Sequence, residues 1–361
     1  MTPAAYAPIR RTSARIGLAG VLVVFLWACS STAPSLNPMT QPGSPSPMST
    51  ILGMTASPAA VSPTDPASTG PTGSSPTPSP TFFGPSQSPS SPSAVVTIVA
   101  AGDIACDPAS KIAPPQDCDQ AATANLIGQL DPTAVLTLGD NQYENGTLAA
   151  FQTVFGPTWG KYRSIMHPAI GNHEYLTSGA SGYFGYFGVP AYYSFNLGAW
   201  HLITLDSECH FVGGCQAGSQ RERWLLADLA AHPSKCTLVY WHEPRWSSGE
   251  HLDATQMNDI WADLVAAHVS VVLSGHNHDY ERFVPLNAAG QPDPSGVTEF
   301  VVGTGGKNHY GFVRAPLTGE VVRNDTSFGV MQMTLRPTSY SWSFVPAPSY
   351  TFQDSGSANC V

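Results

Sequence analysis

The sequence predicts an α/β domain built on a largely parallel sheet, on two observations. Short apolar runs rich in β-branched residues alternate with segments of helical period, the pattern of βαβ units. Five of those runs end in a polar side chain able to ligate a metal. In open parallel sheets the site lies beyond the carboxyl ends of the strands, which is where these side chains fall.

In chain order, residues 95–101 run into Gly102-Asp103, and 134–138 run into Gly139-Asp140. Residues 168–170 lead to Gly171-Asn172-His173-Glu174, and 236–241 lead to His242. Residues 269–273 lead through Ser274 to Gly275-His276-Asn277-His278. Apolar runs of this kind predict strands covered on both faces. Between them, 123–130 has helical spacing. So does 219–231, where Trp224, Leu225 and Leu229 form a stripe and Ser219 precedes Glu222 by three residues, a capping pattern. Residues 253–268 form the third helical segment, with Ile260, Trp261, Leu264 and Val265 on one side. The Gly- and aromatic-rich stretch after Gly179 predicts a packed loop, then a strand over 192–196; a substrate rim is its second reading. Runs at 299–302, 329–335 and 340–345 predict strands of a second sheet.

The 361 residues divide into three parts. Residues 1–28 have the form of an export signal: Arg10, Arg11 and Arg15 precede an apolar run over 16–27, too short to span a bilayer comfortably. Leu26-Trp27-Ala28-Cys29 resembles the lipobox of bacterial lipoproteins, although Trp27 is unusual there. Lipidation of Cys29 and simple cleavage with release are the two outcomes, and Arg10-Arg11 admits the twin-arginine route. Residues 29–93 are dominated by Ser, Pro, Thr, Gly and Ala, with Asp65 the only charge. Such a segment cannot bury enough apolar surface to order itself, which predicts a disordered tether. Residues 94–361 are the expected catalytic domain and carry all eleven histidines.

Net charge excludes one class of partner. The chain carries −10, and removing the three signal arginines makes it −13. No basic cluster appears in the domain, so nucleic-acid binding through phosphate neutralisation is not expected. Apart from Cys29 there are six cysteines, at 106, 118, 209, 215, 236 and 360, which fits an oxidising compartment. Six allow fifteen connectivities. Proximity favours Cys106–Cys118 and Cys209–Cys215, leaving Cys236 for Cys360. No CxxC pairing of a zinc site is present.

The candidate ligands are Asp103, Asp140, Tyr143, Asn172, His242, His276 and His278. Carboxylate, phenolate and amide oxygens suit hard cations, and imidazole suits zinc or iron. The mixture fits two first-row metals bridged by one carboxylate, about 3.5–4 Å apart, which can hold both oxygens of an in-line displacement. Gly102-Asp103, Gly139-Asp140-Asn141-Gln142-Tyr143, Gly171-Asn172-His173-Glu174, Val239-Tyr240-Trp241-His242 and Gly275-His276-Asn277-His278 resemble the five ordered motifs of the purple acid phosphatases, a branch of the calcineurin-like metallophosphoesterases. The segments around His201, Gln220, Asp279-Tyr280-Glu281-Arg282 and Gly303-Thr304-Gly305-Gly306 extend the resemblance over the whole domain, in its single-domain form.

The resemblance implies a four-layer αββα sandwich of two mixed β-sheets flanked by helices. It also implies Fe(III) held by Asp103, Tyr143 and His278, and a divalent ion (Fe, Zn or Mn) held by Asn172, His242 and His276, with Asp140 between them. Most of the wider family carries a histidine two residues after the first aspartate; here that position is Ala105, so Tyr143 takes its place, which points to the purple acid branch. The branch's own glycine at that position is also Ala105 here, a departure expected to alter only a turn.

The implied reaction is hydrolysis of a phosphate monoester by attack of a metal-bound hydroxide on phosphorus. His251 would give a proton to the leaving group, and His173 would be the second substrate-side histidine. His167, His201, His210, His232, His268 and His309 have no motif support and are read as structural or surface residues. Glu281-Arg282 reads as a local ion pair, and Gly303–Gly306 as a tight turn near the site. Two alternatives stay open: a phosphodiesterase or nucleotidase on the same metals, and a surface protein that binds phosphoesters without turnover. The expected partner is a small phosphoester, with membrane contact only through a lipid on Cys29.

Overall fold

The structure is a computed structural model and describes residues 94–107 and 118–361. The expected signal 1–28, the tether 29–93 and Cys29 lie outside the described residues.

The strands follow in the order Val96–Ala101 (β1), Ala134–Leu138 (β2), Met166–Ala169 (β3), Tyr193–Leu197 (β4), Trp200–Thr204 (β5), Cys236–Tyr240 (β6), Val271–Ser274 (β7), Tyr280–Phe283 (β8), Thr298–Val302 (β9), Glu320–Asn324 (β10), Gly329–Arg336 (β11), Ser339–Pro346 (β12) and Ser355–Asn359 (β13). Gln120–Leu130 (α1), Gln220–Ala231 (α2) and Asn258–Ala266 (α3) are the longer helices among the described residues. The expected αββα sandwich of two mixed sheets is the observed one. One sheet runs β13-β12-β11-β1-β2-β3, the other β10-β8-β9-β7-β6-β5-β4.

The side-chain period of two builds the layers. On β6, Leu238 and Tyr240 join the large core that also holds Val99, Leu136 and Met331 of the first sheet. Val239 between them faces the other way, into a second core with Leu225 of α2 and Ile260, Trp261 and Leu264 of α3. Both faces of the strand are covered, as its unbroken apolar run requires.

Several sequence expectations need correction. The strand runs belong to two sheets rather than one: β1, β2 and β3 are parallel neighbours, while β5, β6, β7 and β9 form the parallel part of the other sheet. The C-terminal runs do not make a sheet of their own. β11 pairs antiparallel with β1, extending the first sheet, and β9 joins β7 and β8 in the second. The helix expected from residue 253 begins at Asn258, because Asp253 accepts the Ser247 N–H (2.9 Å) and pairs with Arg314. The stretch after Gly179 contains a short helix, Ser181–Phe187, rather than a loop. Its Tyr186 stacks on Phe151 at 5.1 Å and Tyr183 donates to Pro168 O at 3.0 Å, so this is packing and not a rim. Ser219 caps α2 as expected, accepting the Glu222 N–H at 3.2 Å.

The three disulfides are Cys106–Cys118, Cys209–Cys215 and Cys236–Cys360, the pairing that proximity favoured. The last joins β6 of one sheet to the segment after β13 of the other across 124 residues. Closing a loop of that size stabilises a fold by about 4–5 kcal/mol in the chain-entropy view.

Candidate metal centre

The predicted ligands leave strand ends and the turns just after them. Gly102, after β1, donates to Val302 O at the end of β9 (2.9 Å), which ties the ends of the two sheets together. Asp103 follows with φ 59°, Asp140 has φ 45° and His276 has φ 69°. Left-handed backbone at a non-glycine residue costs on the order of 1 kcal/mol or more and persists where the surroundings over-determine it. Here three of the seven predicted ligands share it. Two glycines let the loops close: a Cβ on Gly139 would lie 2.4 Å from His242 Nδ1, and one on Gly171 would lie 2.3 Å from Asp140 Oδ1.

All seven predicted ligands converge. In one half, Tyr143 OH lies 2.8 Å from Asp103 Oδ1, 3.0 Å from Asp140 Oδ2 and 2.9 Å from His278 Nε2. In the other, His242 Nε2 lies 3.0 Å from Asn172 Oδ1, 3.1 Å from His276 Nδ1 and 3.3 Å from Asp140 Oδ2. Asp140 Oδ2 belongs to both halves. The remaining carboxylate oxygens are held by backbone: Asp103 Oδ2 accepts the His276 N–H (2.8 Å) and Asp140 Oδ1 the His173 N–H (2.9 Å).

The donor set fits metal ions. His242 Nδ1 donates to Leu138 O (2.9 Å) and His278 Nδ1 to Asn308 O (2.5 Å), which turns both Nε2 atoms toward the other ligand atoms of the cluster. A metal-ligating imidazole usually donates its other N–H to a carbonyl or carboxylate in this way, which fixes the ring's orientation. Donors around one ion with bonds of about 2.0–2.2 Å stand about 3 Å apart, as these do.

Electrostatics agree. Burial alone would raise the Asp140 carboxyl, but His242 and His173 override it and hold Asp140 well below the usual carboxylate range. His242 is raised, Asp140 outweighing its burial. Burial, with His242 beside it, pushes His276 well down, and burial with the Asp103 and Asp140 charges pushes Tyr143 well up. A Tyr143 phenolate therefore needs a cation.

The two substrate-side histidines flank the cluster. His173 Nδ1 donates to Glu144 O (2.6 Å), its ring is 4.4 Å from Tyr143, and its Nε2 is 3.9 Å from Asp140 Oδ2. His251 is exposed, anchored through its N–H to Asn277 Oδ1 (2.8 Å), with its ring 4.5 Å from His276. It borders a recess of about 190 Å³ with Glu243, Asp253 and Gln256.

Three neighbours carry no sequence signal of their own. Lys307 is buried, with its ammonium 4.6 Å from the Tyr143 ring centroid. Glu174 lies inside a motif whose pattern gives it no role of its own. Its Oε1 accepts the N–H groups of Asn141 (2.9 Å) and Gln142 (3.2 Å), and its Oε2 that of Gly171 (2.8 Å). Tyr310 stacks on His278 at 4.0 Å and meets His251 edge-on at 5.1 Å.

Glu281 and Arg282 do not pair. Adjacent residues on a strand face opposite ways. Glu281 accepts from Ser248 N (2.8 Å) and Ser247 Oγ, while Arg282 binds Asp354 with 2.7 and 3.0 Å contacts. Gly303–Gly306, expected as a tight turn near the site, lies beside it as a bend in close backbone contact: Gly305 N donates to Gly102 O (2.9 Å), and a Cβ on Gly303 would lie 1.9 Å from Asn277 O.

The sequence model of the calcineurin-like phosphoesterase family matches residues 96–280. Purple acid phosphatase 22 of Arabidopsis thaliana is 37% identical over 123 residues, 32% of this chain and 27% of that protein. Purple acid phosphatase 18 of the same plant is 32% identical over 147 residues, 38% and 32%. The chain thus matches about a third or less of the length of these relatives. Among solved structures, a purple acid phosphatase from yellow lupin (Lupinus luteus) seeds superposes with a TM-score of 0.64 at 19% identity, over 75% of this chain and 55% of that one. The Plasmodium inner-membrane-complex anchor shares the fold at 0.55 and 13% identity, over 74% and 89%. At these identities the superpositions show the fold alone, and a shared fold does not carry an activity with it. The family follows from the match over 96–280: this chain belongs to the calcineurin-like phosphoesterases.

Proposed function

We propose that the chain is an exported, dinuclear metal-dependent phosphatase that hydrolyses phosphate monoesters. The observation that carries this reading is Asp140 Oδ2, an oxygen common to the Asp103–Tyr143–His278 and Asn172–His242–His276 clusters. Asp103, Tyr143 and His278 would hold the harder ion, Fe(III), for which a phenolate is a fitting ligand. Asn172, His242 and His276 would hold a divalent one, with Asp140 shared by the two clusters. Bound ions supply Lewis acidity and an acidified water for in-line attack.

The chain's own side chains do the rest. His173, oriented by the hydrogen bond from Nδ1 to Glu144 O, is placed to donate from an Nε2–H to a phosphoryl oxygen when its ring carries both protons. His251 carries a proton to the leaving oxygen, and its exposure leaves room for varied alcohols. Export rests on residues 1–28, anchoring on Cys29 at the end of the 29–93 tether, and three disulfides fit that compartment.

Turnover of an aryl phosphate monoester against the matching diester tests the substrate class. Monoester dominance is expected. Diester dominance would make the chain a phosphodiesterase, and bound metal without turnover of either would make it a phosphoester-binding protein.

A further inference from the structure

A second group of metal-ligating side chains lies outside the candidate centre. His201 of β5, Asp228 of α2 and His232 just past α2 bring one ligand atom each within 4.8 Å of one another. His201 and Asp228 are buried, while the His232 side chain is 43% exposed. Asn196 of β4, the strand partner of His201, places Oδ1 at 2.8 Å from His201 Nδ1. An amide oxygen there accepts from Nδ1–H, and in the neutral ring this turns the Nε2 lone pair toward Asp228 Oδ2 at 2.8 Å. A lone pair and a carboxylate face each other at that distance only across a proton or a cation. Ser194 Oγ donates to Asp228 Oδ1 at 2.7 Å, so the carboxylate is oriented as well. His232 Nδ1 sits 3.2 Å from Asp228 Oδ1, and 2.9 Å from Asp228 O, to which it now donates. Moving that proton to Nε2 frees Nδ1 as a third ligand.

We propose that His201, Asp228 and His232 form a separate mononuclear site for a divalent first-row cation, zinc above all. Two imidazoles and one carboxylate with a solvent-open fourth position are a zinc donor set. Asn196 is the outer partner that fixes the His201 tautomer. The end of α2 adds favourable negative potential for a cation. The site clasps the β4–β5 hairpin to the C-terminal end of α2 and is independent of the candidate phosphatase centre.

The test counts zinc. Full-length chain, His232→Gln and Asp140→Asn are equilibrated with Zn²⁺, desalted and analysed by elemental mass spectrometry. The parent is expected to hold one zinc more than His232→Gln, and Asp140→Asn to lose metal elsewhere while keeping this one. At zinc about a hundredfold above Kd, the Tm of the parent should rise about 5 °C more than that of His232→Gln. Cobalt should give a four-coordinate visible spectrum in the parent-minus-variant difference. Equal zinc counts and equal Tm shifts in parent and His232→Gln would overturn the proposal, leaving a hydrogen-bonded clasp.

Discussion

Lys307 lies over the ring of Tyr143, its ammonium 4.6 Å from the centroid, and pairs with Glu144, the next residue along the chain. Its own N–H donates to Asp103 O at 2.9 Å, so one residue braces both oxygen ligands of the first half of the centre. Burial and two carboxylates oppose ionisation of Tyr143. A buried cation against the ring face offsets part of that cost. Lys307→Met should lower metal affinity in this half and cost about 2 kcal/mol of stability by leaving Glu144 unpaired, discounted for its partial exposure. With Fe(III) bound, the visible charge-transfer band should move to longer wavelength, because the phenolate becomes richer in electrons. Absorbance and thermal unfolding check both.

Glu174 joins two motif loops through three backbone N–H groups. Burial, reinforced by Asp140, pushes its carboxyl up to about 8. Glu174→Ala leaves those three N–H groups without their acceptor, and should cost about 1–3 kcal/mol. Asn172 and Asp140 lose their mutual placement, so metal affinity should fall with stability. Isothermal titration with Zn²⁺ separates that from unfolding.

His251 is the proposed acid. His251→Ala should reduce kcat on alkyl phosphates about a hundredfold or more, and on aryl phosphates with good leaving groups far less. Burial, then the His278 charge, holds its pKa below the ordinary 6.5. The protonated form is therefore lost as pH rises through a value under 6.5, and alkyl-phosphate turnover should fall there. Aryl turnover should not follow the same limb.

Glu299 gives a stability prediction away from the metals. It is fully buried on β9, accepts the N–H groups of Arg245 (2.8 Å) and Trp246 (3.0 Å), and burial raises it to about 8 from 4.5. A raised carboxyl favours the fold while protonated. Its contribution is full below pH 4.5 and is lost as pH rises through about 8, because the unfolded chain ionises first. The Tm of the parent should fall across that window more steeply than that of Glu299→Gln.

The convergence of the seven candidate side chains was legible because each lies at, or within a few residues of, the point where an apolar run stops, with a glycine before Asp103, Asp140, Asn172 and His276. Sheet membership was not. The runs of β2 and β6 are alike in length and composition, and only their pairing, β2 between β1 and β3 and β6 between β5 and β7, assigns one to each sheet. Lys307 and Tyr310 follow the 299–302 run and its glycines, but a lysine and a tyrosine there are not a metal-ligating pattern, so their place beside the centre was not marked. The Glu281–Arg282 expectation failed because sequence neighbours on a strand point apart, and the true partner of Arg282, Asp354, is 72 residues away. His201 lacked a motif, and its partners come together only when α2 folds onto the β4–β5 hairpin.

The most direct test of the central claim joins metal and turnover in one residue. Asp140→Asn keeps the size of the side chain and removes the charge shared by both ligand clusters. The account predicts aryl phosphate hydrolysis by the parent at acidic to neutral pH. In the variant, turnover and metal content in the Asp103 and His242 halves should be lost together. Hydrolysis that survives in Asp140→Asn, or a parent that binds two metals and turns over no phosphoester, would contradict it.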